Sequence, residues 1–272
     1  MVFDIITIFP DMLKAYLDYG IISRAIKEHL ISVNVINLRD FAINKRGQVD
    51  DAIFGYGCGM LFRPEPLFGA IQAIKEKEPE SHFVFLTPQG KRFNNKEAKR
   101  LSRYKSITLI CARYEGIDAR IVQGFVDEEI SIGDYILTGG EIPALVIVDA
   151  VSRFLENLIK KNSAEDESFE NGLLEHEHYT EPVVFMGRKV PEVLRSGNHK
   201  AIERFRFISS LKKTYFNRID LFREYMFSFG AGATGNYIRA LKRKNEKMQE
   251  LIKEIQNISK EWKNARRSSD NQ

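Results

Sequence analysis

The feature that most constrains the fold is the alternation of short apolar runs with stretches of helical periodicity. Stretches with apolar residues at helical spacing separate most of these runs. Because strands that alternate with helices form a mostly parallel sheet with helices on both faces, the sequence predicts an α/β fold. The runs are rich in β-branched residues and predict buried strands over residues 2–8, 33–38, 82–86, 107–111 and 126–130.

A glycine-rich segment, Ser131–Glu141, follows the fifth predicted strand and leads into a helix predicted from Ile142 to about residue 158. Its three glycines let the backbone approach a ligand closely. Turns at 86–90 and 111–118 also follow strands, and ligands of parallel sheets bind where strands end. The three turns are therefore predicted to converge on one pocket. The Gly-Gly pair alone is more typical of an ordinary turn.

Length and cysteine content limit the class of protein. The 272 residues suffice for one large domain or two ordinary ones. An apolar run of about 18 residues is absent from the sequence, and the N-terminus lacks the basic region of a signal peptide. Two cysteines, Cys58 and Cys111, provide neither a disulfide framework nor a metal cluster, which favours the cytoplasm.

Charge is distributed unevenly along the chain. Residues 154–185 hold 2 basic and 8 acidic residues, whereas residues 187–223 hold 10 basic and 3 acidic residues. The basic C-terminal part predicts an anionic partner, although a solvated helical surface explains the charge equally well. Helices are predicted over 200–213, 221–229 and 237–262, after an acidic linker.

Ten short motifs, in this order, resemble the bacterial tRNA (guanine-N1)-methyltransferases of the TrmD type, a SPOUT-superfamily group. The resemblance runs from residue 1 to about residue 215. The motifs are Ile5–Pro10, Val49–Asp51, Gly57–Met60, Pro88–Gly90, Arg113–Asp118, Ser131–Glu141, Ser152–Arg153, Gly172–Leu174, His178–Thr180 and Val190–His199.

The resemblance implies a mostly parallel SPOUT-type sheet with a trefoil-knotted cofactor site, plus a small C-terminal helical domain. It implies a homodimer with each active site at the interface, no membrane association, and methylation of N1 of guanosine 37 in tRNA. The corresponding division is a catalytic domain over 1–159, an acidic linker over 160–177, a basic helical tRNA-binding domain over 178–263 and a disordered tail over 264–272.

The resemblance also implies a set of residues that bind the methyl donor, S-adenosylmethionine. An apolar slot with backbone donors and acceptors at its edge suits adenine, which agrees with this set. It comprises Leu86, Thr87, Pro88, Gly90, Ala112, Tyr114, Glu115, Gly116, Ser131, Ile132, Gly133, Asp134, Tyr135, Ile136, Leu137, Gly139, Gly140 and Pro143.

The implied catalytic residues are a general base and an arginine. Guanine N1 carries a proton at neutral pH, so its methylation requires a base. The aligned residue is Glu167, where the family has aspartate, and the neighbouring Asp166 is the alternative. Arg153 would stabilise negative charge on guanine O6. Mg²⁺ assists some members, but the sequence has no carboxylate cluster that indicates a metal site.

Two further positions depart from the family pattern. Ala112 stands where glycine is usual, which is tolerable only at negative φ, and Glu181 stands where arginine is usual. With the glutamate at position 167, these departures are the only support for a non-catalytic RNA-binding homologue. A SPOUT methyltransferase that acts on another RNA site is the other alternative.

Overall fold

The structure is a computed structural model that describes residues 1–55, 59–155, 158, 168–169 and 171–228. The chain divides into two compact units, Met1–Ala164 and Glu165–Gln272. The first unit contains, in chain order, β1 (Val2–Thr7), α1 (Pro10–Leu17), α2 (Gly20–Lys27), β2 (Ser32–Asn37), a 3₁₀ turn (Leu38–Phe41), β3 (Asp50–Ala52), β4 (Met60–Phe62), α3 (Pro64–Lys77), β5 (His82–Arg92), α4 (Asn95–Leu101), β6 (Ser106–Cys111), α5 (Ala119–Phe125), β7 (Glu128–Ser131) and α6 (Glu141–Ser152).

Five strands of this unit form one sheet in the order β2-β1-β6-β5-β7, and every neighbouring pair is parallel. One buried cluster packs α1, α2, α4 and α6 against one face of the sheet, and a second packs α3 and α5 against the other. Leu109 and Ile110 of β6 are fully buried on opposite faces, and each contributes roughly 1.5–3 kcal/mol through burial. The predicted α/β fold with helices on both faces is confirmed.

The predicted end of the third strand is wrong. The strand predicted to end at residue 86 continues to Arg92, with a register shift between Leu86 and Lys91. Ile130 of β7 pairs with both of those residues, so the intervening segment bulges out of the ladder. The turn residues Pro88 and Gly90 occupy the bulge instead of ending the strand.

Smaller differences concern α6 and the segment before α3. The helix predicted to reach about residue 158 ends at Ser152. The segment over 39–60, which shows no periodicity in the sequence, contains the short antiparallel hairpin of β3 and β4. Three-residue strands are too short for alternation to identify them.

The second unit begins with an extended segment and ends in helices. It contains β8 (Val184–Phe185), β9 (Arg188–Lys189), a 3₁₀ turn (Glu192–Arg195), α7 (His199–Asn217) and α8 (Ile219–Ser228). Leu173, Leu211 and Phe222 form its buried cluster. The side chain of Asn198 accepts a hydrogen bond from the Ala201 amide at 3.2 Å and caps α7. The predicted helix over 237–262 and the predicted tail lie outside the described residues.

Candidate active site

Three segments lie side by side on neighbouring strands: the bulge within β5, the loop that follows β6 and the loop that follows β7. Because β6, β5 and β7 are adjacent and parallel, the three segments share one edge of the sheet. They also approach one another closely. A Cβ atom on Gly90 would lie 2.4 Å from the Ile130 nitrogen, and one on Gly140 would lie 2.6 Å from Cys111 Cα. The Gly140 amide donates to the Ala112 carbonyl at 3.0 Å.

Glycine is therefore required at Gly90 and Gly140 by close backbone approach, since a side chain there would contact another segment's main chain. This geometry places residues 86–90, 112–116 and 131–140 at one edge of the sheet in the first unit. That the three turns line one ligand pocket stays a prediction.

An ion pair joins the second and third segments. The Glu141 side chain is buried, with the residue 1% exposed, and its Oε2 accepts from Arg113 Nε at 3.0 Å. Its Oε1 accepts from Thr7 Oγ1 at 2.8 Å. Arg113 also donates to the Thr138 carbonyl at 3.1 Å. Both Glu141 oxygens are thus satisfied, which a buried carboxylate requires.

Sequence reasoning assigned no role to Thr7, Arg113 or Glu141. The available signal was a single carboxylate in the first turn of a helix that is otherwise almost entirely apolar. A charge at that position must be either exposed or paired. The positive N-terminal end of α6 also favours the carboxylate there.

The loop after β6 has an uncommon backbone conformation. Tyr114 has a φ of 58°, in the left-handed region, which costs a non-glycine residue roughly 1–3 kcal/mol. Hydrogen bonds to β4 hold the loop: the Glu115 amide donates to the Met60 carbonyl at 3.1 Å, and the Phe62 amide donates to the Gly116 carbonyl at 3.0 Å. The loop is therefore supported from outside the central sheet.

The residues expected to bind the methyl donor differ in exposure. Leu86, Ala112 and Ser131 are buried. Ile136 is 81% exposed and Tyr135 is 54% exposed. These two apolar side chains do not belong to the core, so an ordinary packing role does not explain them. The remaining expected residues lie in the same three segments or, for Pro143, in the first turn of α6.

The departure at Ala112 is compatible with the backbone. Ala112 is absent from the non-glycine residues with positive φ in the described ranges. Its methyl group therefore introduces no left-handed strain. The residue is 8% exposed and its amide lies beside Gly140.

Arg153 caps the C-terminus of α6 and lines a surface cleft of about 320 Å³. Tyr16 and Asp149 line the same cleft, and the Tyr16 hydroxyl donates to the Asp149 carboxylate. This hydrogen bond, more than burial, raises the pKa of Tyr16 to about 12. Glu167 and Asp166 lie outside the described residues.

Neither a reactive thiol nor a metal site emerges at this edge. Burial, and secondarily the Glu141 charge, raise the pKa of the Cys111 thiol well above its usual value, so Cys111 is no nucleophile. In the part of the chain that the structure describes, His, Cys, Asp and Glu side chains form no group of three suited to a metal ion. Of the described helices, none combines the length and apolarity that a bilayer crossing requires.

Fold and loops together place the chain in the class of parallel α/β proteins with glycine-rich segments at the carboxyl edge of the sheet. Over residues 1–224 it matches the family model described as tRNA (Guanine-1)-methyltransferase TrmD. The chain belongs to this family, and its fold is of the SPOUT class.

Curated relatives named tRNA (guanine-N(1)-)-methyltransferase support the assignment. One from Thermosipho melanesiensis is 52% identical over 218 residues, which span 80% of this chain and 88% of the relative. One from a Sulfurihydrogenibium species is 46% identical over 251 residues, 92% of this chain and 97% of the relative. One from Listeria monocytogenes is 46% identical over 228 residues, 83% and 93% of the two chains.

Proposed function

We propose that this protein transfers a methyl group from S-adenosylmethionine to N1 of guanosine 37 in tRNA, in the cytoplasm. Membership of the tRNA guanine-N1 methyltransferase family over most of the chain carries this proposal. The three segments that meet at one edge of the sheet support it, because they form a cradle of close backbone contacts.

The proposed donor site fits the chemistry of the three segments. Leu86 and Ala112 are buried apolar residues of two of the segments, and the exposed Tyr135 and Ile136 can cover an adenine ring. Gly139 and Gly140 carry no side chains, so a ligand can come close to the main chain of this segment. S-adenosylmethionine supplies an electrophilic methyl group on a sulfonium when it binds. The Arg113–Glu141 ion pair fixes the distance between two of the segments.

The proposed proton acceptor is a carboxylate of the acidic linker, Glu167 or Asp166. Either carboxylate can accept the N1 proton of guanine, since free Asp and Glu side chains are ionised at neutral pH. The Arg153 guanidinium would donate hydrogen bonds to guanine O6, where negative charge increases as the proton leaves. Mg²⁺ remains a proposal from the family, and the described residues offer no carboxylate cluster for it.

Labelled S-adenosylmethionine and unmodified tRNA test the activity directly. We expect label in wild-type tRNA and none when guanosine 37 is replaced. Label that survives the replacement indicates another RNA site, whereas donor and tRNA binding without any label indicates a non-catalytic homologue. Donor affinity is measured separately by calorimetry with S-adenosylmethionine.

Variants separate the proposed catalytic roles. Arg153→Ala should lower turnover by at least about a hundredfold, the scale of a lost transition-state donor, while donor affinity stays within a few fold. Arg103→Ala, which removes an exposed arginine of the loop between α4 and β6, serves as the control. Turnover of the Arg153 variant at the control level contradicts its role. Of Asp166→Ala and Glu167→Ala, one should abolish turnover; if neither does, the base lies elsewhere.

We also infer a homodimer that covers an apolar face of α1 and α6. These two helices pack against each other, and α6 is apolar on nearly every side. Its outward residues Ile142 and Val146 are exposed, Ile142 by 52%, and Met12 of α1 is exposed too. A helix that is apolar all round is normally buried, so a second copy of the chain is the proposed cover. Arg153, at the end of α6, would then lie close to the interface.

A further inference from the structure

The second unit presents a small hairpin whose tip is apolar and unusually exposed. Val184 pairs with Lys189 and Phe185 pairs with Arg188, and the Val190 amide donates to the Val183 carbonyl at 2.9 Å. Met186 and Gly187 form the two-residue turn with φ of 47° and 75°. Positive φ at both positions is typical of the type I′ turn that matches the twist of a hairpin. The turn therefore fixes which side chains share a face.

Directly paired residues of an antiparallel hairpin lie on the same face. Phe185 consequently shares a face with Arg188, and Val184 shares the other face with Lys189. Each face combines one apolar side chain with one cation. The four paired residues therefore give both faces of the hairpin the same combination of an apolar group and a cation.

None of these side chains is covered by the second unit. Phe185 is 62% exposed and Met186 is 86% exposed. Among the described residues, no carboxylate lies within ion-pair distance of Arg188 or Lys189. An exposed apolar tip is costly in water, and two cations that have no carboxylate partner in the described part of the chain attract a polyanion.

An unpaired nucleotide matches both properties. An aromatic ring stacks on a base, which is sequence-tolerant, and an adjacent arginine contacts the phosphate. An acidic peptide would satisfy the cations but not the flat aromatic surface. The hairpin also begins a stretch, residues 187–223, that carries a net charge of +7 from 10 basic and 3 acidic residues.

We propose that the β8–β9 hairpin is a tRNA contact: Phe185 stacks on an unpaired base of the bound tRNA, and Arg188 contacts the neighbouring phosphate. This inference rests on the proposed function for the identity of the RNA. It adds an aromatic contact to a surface otherwise defined by charge alone.

The full-length protein and an unmodified tRNA transcript labelled with a fluorophore test the contact by anisotropy. Phe185→Ala should weaken tRNA binding by about tenfold, the scale of one lost base stack, and Phe185→Trp should restore it. Arg188→Ala should lower the slope of log affinity against log salt by about one. Phe68→Ala, at an aromatic of α3 that is 41% exposed and lies outside the basic domain, is the control and should bind as wild type.

The possible outcomes are distinguished by thermal unfolding, tRNA binding, oligomeric state and methyl transfer. Thermal unfolding of Phe185→Ala should match wild type, because the side chain is mostly exposed. Binding within twofold of wild type overturns the proposal, and so does a change of Phe185→Ala from dimer to monomer, which would make the hairpin a contact between copies. A wild-type protein that binds tRNA through Phe185 yet transfers no methyl group contradicts the proposed function and leaves the hairpin contact intact.

Discussion

At the scale of single residues, the buried pair of Arg113 and Glu141 is the group whose removal should matter most. Glu141 receives hydrogen bonds from Arg113 and from Thr7, so it connects the first strand to two of the three segments that share the edge of the sheet. Breaking a buried ion pair leaves one charge without its partner, which costs more than the intact pair contributes.

Glu141→Gln keeps the shape of the side chain and removes its charge. We expect a loss of roughly 2 kcal/mol in the free energy of unfolding and a donor affinity about tenfold weaker, because the segments separate slightly. Chemical denaturation and calorimetry with S-adenosylmethionine measure the two effects. Glu76→Gln, an exposed position on α3, is the control. Unchanged donor affinity in Glu141→Gln contradicts a positioning role.

At the scale of elements, close backbone crossings decide where glycine is needed. The Gly90 backbone passes against β7, and a Cβ atom there would lie 2.6 Å from the Glu129 carbonyl oxygen. By contrast, a Cβ atom at Gly124 in α5 would meet nothing within 4 Å. Close packing therefore requires glycine at position 90, whereas no steric contact requires it at position 124.

Gly90→Ala should destabilise the protein by about 3 kcal/mol, since main chain must shift to admit the methyl group. Gly124→Ala should leave stability unchanged or raise it by about 0.5–1 kcal/mol, because alanine favours a helix over glycine. Thermal unfolding of both variants gives the comparison. Equal stabilities of the two variants would contradict the close approach of the Gly90 backbone to β7.

A second element-scale feature ties α4 to the edge strand β7. Arg100 Nε donates to Glu97 Oε2 at 2.8 Å, and Arg100 Nη2 donates to Glu128 Oε2 at 2.6 Å. Lys91 Nζ lies 2.7 Å from Glu97 Oε1. Burial raises the pKa of the Glu97 carboxyl, but the hydrogen bonds from Lys91 and Arg100 outweigh it and hold that pKa below its usual value. The stabilisation is therefore present above the unfolded-state pKa and is lost as pH falls through the folded-state pKa.

Arg100→Ala should cost about 2 kcal/mol at pH 7, because two partly buried carboxylates lose their shared partner. The difference from wild type should shrink as pH falls through the lowered folded-state pKa of Glu97. Urea denaturation at several pH values measures it, with Arg103→Ala as the exposed control. A deficit that is independent of pH would mean that Arg100 acts by packing alone.

At the scale of the whole molecule, the exposed apolar face of α1 and α6 predicts a dimer of about twice the 31.4 kDa chain mass. The double variant Ile142→Glu, Val146→Glu should be monomeric, because dimer formation would bury the two glutamate charges away from water, which is costly. Sedimentation velocity distinguishes the two states. Gln123→Glu on α5, on the opposite face of the sheet, should stay dimeric. A wild-type monomer, or a dimer that survives the double variant, contradicts the predicted interface.

The sequence by itself determined the α/β class, the five sheet strands and the family. Periodicity sets which face of each element is buried, and many short motifs in order identify the family. It did not determine that β5 runs past Leu86 to Arg92, since a bulge depends on the strand beside it. Nor did it reveal the pairing of Arg113 with Glu141, because the two residues are 28 positions apart and meet only when parallel strands bring their ends together. Partners distant in sequence are chosen by packing, and tertiary structure alone decides them.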